Sequence, residues 1–70
     1  MKNANAHLKE KYPTGTRVQL VDMDDTQAPP VGTKGTVIGV DDIGSVMVLW
    51  DDGSQLSVLF GIDTIRIIAD

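Results

Sequence analysis

Glycine placement constrains this chain more than any other feature. Gly15 opens the first of a series of short runs rich in β-branched residues. The other six glycines punctuate those runs from Thr16 to the end of the sequence. Short β-branched runs separated by turn residues are the pattern of an all-β barrel or sandwich. The expected strands are 16–22, 35–40, 45–50, 54–59 and 65–68. In the first, Val18 and Leu20 face inward and Arg17 and Gln19 outward. In the second, Val37 and Val40 are three apart where strict alternation needs two or four. Gly39 between them predicts a bulge, which bends a strand as a small barrel requires.

The connections follow from their residues. The stretch 23–34, "MDDTQAPPVGTK", is a long loop, because Pro29 and Pro30 donate nothing to a ladder. "DDIG" at 41–44 is a turn, and "FGID" at 60–63 a one-turn connector. "PTGT" at 13–16 and "PVGT" at 30–33 echo each other. In both, Pro presets φ and Gly supplies positive φ, so each launches a strand. Residues 1–11 are polar, either a frayed tail or one short helix turn, since an isolated helix of this length is unstable. The domain reading is a polar N-terminal tail at 1–11 and a β-barrel domain at 12–70.

Seventy residues make one domain, which buries only about 60% of its unfolded surface. The hydrophobic fraction of 41% supports a core and excludes a disordered chain. With no cysteine there is no disulfide and no thiolate metal site. No apolar run approaches the roughly 18 residues of a membrane span. The start, "MKNANAHLKEKY", lacks the apolar stretch of a secretory signal. A cytoplasmic location in a bacterium, or in a cell its virus infects, is the expectation. A net charge of -4 opposes binding to phosphate backbones, although a local basic patch overcomes such a balance.

The stretch "VMVLWDDGSQLSVL" at 46–59 holds the only tryptophan, beside two aspartates and a glycine. The turn closes in one of two ways. A two-residue loop pairs Leu49 with Leu56 and Met47 with Val58. A three-residue loop pairs Val48 with Leu56 and Val46 with Val58, and puts Gly53 in the left-handed position of a bulged hairpin. A one-residue slip moves every side chain to the other face. The three-residue loop is favoured, because it gathers Val46, Val48, Trp50, Leu56 and Val58 on one inner face. Asp51 and Asp52 then read as turn-formers, and Trp50 as a core or rim residue whose indole N–H needs a partner. Met47 and Leu49 then point outward, with Val21, Ile38 and Leu59 as further outward apolar candidates. Such patches mark partner surfaces; the alternative is that the N-terminal segment folds over them.

Residues for chemistry are few. Eight of the ten acidic residues fall in loops or at strand ends: Asp22, Asp24, Asp25, Asp41, Asp42, Asp51, Asp52 and Asp63. "DMDD" resembles the start of a calcium loop but lacks the glycine at its sixth and the glutamate at its twelfth position. His7 is the only histidine and lies in the polar segment. "VGTKGT" lacks the spacing of a phosphate-binding loop. No metal, cofactor or catalytic residue is expected, and a barrel this small is filled by its own side chains. Arg17, Lys34 and Arg66 form a candidate nucleic-acid face if they meet on one side. The aromatics for base stacking are only Tyr12, Trp50 and Phe60.

Five short strands, a long first loop and a one-turn connector before the last strand resemble an SH3-like barrel, the architecture shared by KOW and Tudor modules. A closer resemblance runs through Tyr12-Pro13-x-Gly15-Thr16-Arg17-Val18-x-Leu20, Met23-Asp24-Asp25, Ala28-Pro29-Pro30-x-Gly32-Thr33-x-Gly35-Thr36-Val37, Val40-Asp41-Asp42-x-Gly44, Trp50-Asp51-x-Gly53-Ser54-x-Leu56, Gly61-x-Asp63 and Arg66. It is similar to a family of short bacterial and phage proteins classed as a domain of unknown function. Residues 1–11 lie outside that resemblance. It implies an accessory protein of mobile elements with no assigned activity. An ion pair from Asp24 or Asp25 to Arg66 is expected to tie the long loop down.

The expectation is therefore an all-β, five-stranded SH3-like barrel that acts as a non-enzymatic binding module. Its protein partner is unidentified, and it is a monomer or homodimer away from membranes. The candidate partner-binding residues are Asp24, Asp25, Met47, Leu49 and Trp50. One alternative is a nucleic-acid-associated barrel using Arg17, Lys34 and Arg66. Another is an acidic inhibitor that mimics nucleic acid, which needs the aspartates clustered on one face.

Overall fold

Pro13 and Pro30 begin two turns of one geometry, and these turns set the register of the sheet. In the computed structural model, which describes residues 5–59 and 61–69, Thr16 N–H donates to Pro13 O and Thr33 N–H to Pro30 O, each at 3.0 Å. Both threonine hydroxyls donate to the same proline carbonyls at 2.6 Å. Gly15 and Gly32 hold φ of 96° and 95°, a region from which side chains are largely excluded. The turns lead into β1 (Arg17–Asp22) and β2 (Lys34–Val40). These strands pair antiparallel with Val18 opposite Gly35. Gly15 donates to Val37 O while Val37 donates to Thr16 O, and Gly32 donates to Leu20 O while Leu20 donates to Thr33 O. Each turn thus clamps the middle of the other's strand.

β2 continues through the turn at 41–44 into β3 (Ser45–Trp50), followed by β4 (Val58–Leu59) and β5 (Thr64–Ile67). The five strands form one antiparallel sheet in the order β4-β3-β2-β1-β5. The all-β reading holds. Closure of that sheet into a barrel is not seen among the described residues. The register between β2 and β3 shifts between Val37 and Gly39, which is the bulge that the Val37–Val40 spacing predicts.

One face of the sheet carries the core: Val18, Leu20, Val37, Val46, Val48, Trp50 and Val58, all buried. Met23, Val40, Leu56 and Ile65 pack against them. The helix α1 (Asn5–Lys11) completes it. Lys9 and Lys11 lie in its last turn, where the helix dipole favours cations. The chain then leaves helical geometry at Tyr12, because the residue before a proline is driven out of it. Seven residues do not hold a helix in water. Leu8 (7% exposed) and Tyr12 (5%) bury themselves in the core instead, and a buried side chain of this kind is worth about 1.5–3 kcal/mol. The segment expected as a polar tail or helix turn is therefore a docked helix. Residues 1–4 of that segment and Phe60 of the expected connector lie outside the described residues.

Candidate functional site

The hairpin after β3 settles the register and the place of Trp50. Val46 pairs with Val58, Gly53 N–H donates to Trp50 O, Trp50 N–H donates to Ser54 O, both at 2.9 Å, and Gly53 has φ 95°. This is the three-residue loop. Its side chains alternate as that register requires, with Val46, Val48 and Trp50 buried, Met47 half-buried and Leu49 exposed. The expected fourth strand at 54–59 is paired only over Val58–Leu59. The Leu56 carbonyl accepts the Trp50 indole N–H at 3.0 Å. A buried indole needs such a partner.

Trp50 is 1% exposed. Its ring lies over Gly35, its cross-strand partner. It supports the sheet from the inner side and presents nothing outward. Met47 and Leu49 lie on the other face. Asp24 and Asp25 stand exposed in the β1–β2 loop, apart from both. The Asp25 carboxylate accepts Gln27 N–H at 2.8 Å, a local turn. The expected ion pair to Arg66 is not formed: Arg66 donates from Nε and Nη2 to the Gln19 amide oxygen, the former at 2.8 Å. Gln19 lies directly opposite Arg66 in the register, whereas the aspartates sit beyond the end of β1, so the cross-strand neighbour takes the guanidinium. Buried Pro29 and half-buried Met23 anchor the loop instead.

Arg17, Lys34 and Arg66 do share a face, the outer one. One cross-strand row runs Arg66–Gln19–Lys34 and reaches Asp51, whose N–H donates to Lys34 O at 2.8 Å. The next row is Arg17–Thr36–Leu49. Arg17 grips Asp51 with two parallel bonds of 2.8 and 2.7 Å and also donates to the Thr36 hydroxyl at 3.0 Å. That hydrogen bond holds the Asp51 carboxyl below its usual range, with the charges of Arg17 and Lys34 adding to the effect. Asp52 is held low as well, chiefly by the Ser54 hydroxyl and then by its N–H.

Beyond this polar half the outer face turns apolar. Ile38 (47% exposed), Leu49 (40%) and Leu59 (42%) surround Met47 on β2, β3 and β4. Ile38 points outward by alternation with Thr36, and the bulge sets Gly39 opposite Met47, whose methyl lies 2.9 Å from where a Cβ on Gly39 would stand. α1 lies on the opposite side and leaves these residues uncovered. Both Leu49 and Ile38 are outward candidates from the sequence. Val21 is also exposed but sits at the far end of β1 from Ile38.

Other places for chemistry are limited. A hollow of about 270 Å³ opens between β4 and β5, lined by Lys11, Tyr12, Val46, Val58, Asp63 and Ile65 among others. Its one carboxylate, Asp63, accepts Leu59 N–H at 3.0 Å. Among the described residues no group of three His, Asp or Glu side chains is placed to hold a metal ion, and no helix is long and apolar enough to cross a membrane. Three of the aspartates lie at the ends of β2. Asp41 and Asp42 follow Val40, while Asp51 lies beside Lys34.

These features define a small antiparallel sheet domain with a short helix packed on one face and, among the described residues, no element packed on the other. The chain matches the family model described as "Domain of unknown function (DUF4314)" over residues 1–68, and it belongs to that family. The match takes in residues 1–11, in keeping with a helix that is part of the core. No curated protein matches the chain, and no solved structure matches it.

Proposed function

We propose that this protein is a non-enzymatic binding module that docks another protein on the outer face of β2, β3 and β4. The observation that carries the reading is the uncovered group of Ile38, Met47, Leu49 and Leu59. Isolated exposed apolar residues are ordinary, whereas a contiguous group on one face marks an interaction surface. Trp50, Val48 and Val46 are buried on the inner side of the same strand, and Asp24 and Asp25 stand exposed in the β1–β2 loop. Work in the cytoplasm as an accessory protein of a bacterium or mobile element is supported by the family resemblance and by the lack of cysteine.

The test is capture of partners on immobilised protein, with and without nuclease, comparing wild type with Met47→Asp/Leu49→Asp. A protein retained after nuclease and lost in the double variant supports the reading. Retention that disappears with nuclease sinks it and favours nucleic acid on Arg17, Lys34 and Arg66.

A further inference from the structure

The turn after β3 contains a reactive dipeptide. Asp52–Gly53 is the one place in the chain where glycine follows an acidic residue. The nitrogen of such a glycine reaches the aspartate side chain readily, because no Cβ stands in the way. In that reaction the Gly53 nitrogen gives up its proton and attacks Asp52 Cγ. A C–N bond forms, one carboxyl oxygen leaves as water, and a five-membered succinimide results. Water then adds and opens the ring. Cleavage between the nitrogen and Cγ restores aspartate. Cleavage between the nitrogen and the main-chain carbonyl of Asp52 leaves the backbone running through Cβ, which is isoaspartate of unchanged mass. Asp52 and Gly53 are both exposed, so water has access to them.

The folded turn opposes each requirement of this chemistry. The nucleophile is engaged, since Gly53 N–H donates to Trp50 O at 2.9 Å. The electrophile is engaged as well. Asp52 Oδ1 accepts the Ser54 hydroxyl at 2.6 Å and Ser54 N–H at 3.0 Å, which ties the carboxylate to the residue beyond Gly53. Hydrogen bonds to a carboxylate favour the anion, whose oxygen leaves far less readily than that of a neutral carboxyl. The Ser54 hydroxyl and then its N–H hold Asp52 in that form. Ser54 is itself fixed, because its carbonyl accepts Trp50 N–H at 2.9 Å. We propose that Asp52–Gly53 is a latent isoaspartate site, closed in the folded hairpin and reactive when the hairpin opens, with Ser54 as the positioning residue that closes it. Isomerisation adds one backbone atom to a three-residue loop whose bonds suit only its present length. An opening that reacts therefore leaves a covalent mark next to the strand that holds Trp50.

Ageing the full chain at neutral pH tests this, with isoaspartate at position 52 read by chromatographic peptide mapping and fragmentation mass spectrometry. A synthetic peptide of residues 48–56 in the same buffer gives the rate without the fold. The folded chain is expected to isomerise severalfold more slowly than the peptide. Ser54→Ala should move the rate of the chain towards that of the peptide, whereas Ser54→Thr, which keeps the hydroxyl, should stay near wild type. Leu8→Ala weakens the fold from α1 and leaves Asp52, Gly53 and Ser54 in place. At one temperature well below the melting midpoints of both variants, it should isomerise more slowly than Ser54→Ala. Equal rates for the folded wild type and the peptide overturn the proposal. Equal rates for wild type and Ser54→Ala, or for Leu8→Ala and Ser54→Ala, overturn the assignment to Ser54. If Ser54→Ala does not fold, the wild type against the peptide still decides whether the hairpin closes the site.

Discussion

Gly35 lies beneath the ring of Trp50: a Cβ built on Gly35 would stand 2.8 Å from Trp50 Cε3 and 2.6 Å from Val48 Cγ1. The two residues are opposite one another across β2 and β3, and the missing side chain of one is the space occupied by the other. Gly35→Ala is therefore an overpacking substitution, which costs about 1–3 kcal/mol. In a chain of this length the whole stability is about 4–10 kcal/mol. Urea denaturation should show a clear fall in midpoint, and an unchanged midpoint would mean that the ring does not rest there.

Trp50→Phe keeps most of the buried ring and removes the indole donor to Leu56 O. The carbonyl loses its partner, so the expected loss is about 1–3 kcal/mol. Proton exchange of the Trp50 indole is a direct check on the wild type: slow exchange supports the bond, and exchange at the rate of a free indole contradicts it.

The Arg17–Asp51 pair predicts the acid limb of the stability curve. Arg17 depresses the Asp51 pKa in the folded state. The stabilisation it supplies is complete above the ordinary carboxylate pKa and is lost as pH falls through the lowered value. Asp51→Asn should flatten the decline in stability across about pH 2 to 5, and Arg17→Gln should do the same. The pair is exposed, so the effect should shrink in high salt. Identical acid limbs for wild type and both variants would remove the pair from the account.

Gly15 and Gly32 occupy turns of one geometry, so Gly15→Ala and Gly32→Ala should cost similar amounts, about 1–2 kcal/mol each for a side chain at positive φ. Neither glycine has a close neighbour that a methyl would strike, so the cost is conformational alone. Denaturation of the two single variants measures it, and widely different losses would show that the turns are not equivalent.

Leu8→Ala tests whether the helix belongs to the domain. A buried leucine reduced to alanine costs about 2–5 kcal/mol, enough to lower the melting temperature by many degrees. A melting temperature equal to the wild type would return residues 5–11 to the status of a tail.

The local grammar of this protein is legible in its residues. Gly and Pro placement marked the turns, alternation chose the three-residue loop at Asp51-Asp52-Gly53, and the odd spacing of Val37 and Val40 located the bulge. These are short-range matters, settled by φ restrictions and by which side of a strand a residue takes. The tertiary structure decided what depends on distant neighbours. It docked Leu8 into the core, because helix stability at this length comes from packing. It gave Arg66 to Gln19 rather than to Asp24 or Asp25, because the residue opposite in the register is nearer than one in a loop. It ended the fourth strand early, with the Leu56 carbonyl serving the Trp50 indole. And it put Arg17, Lys34 and Arg66 on the same face as Ile38, Met47 and Leu49, an arrangement made by strand order, which no local pattern encodes.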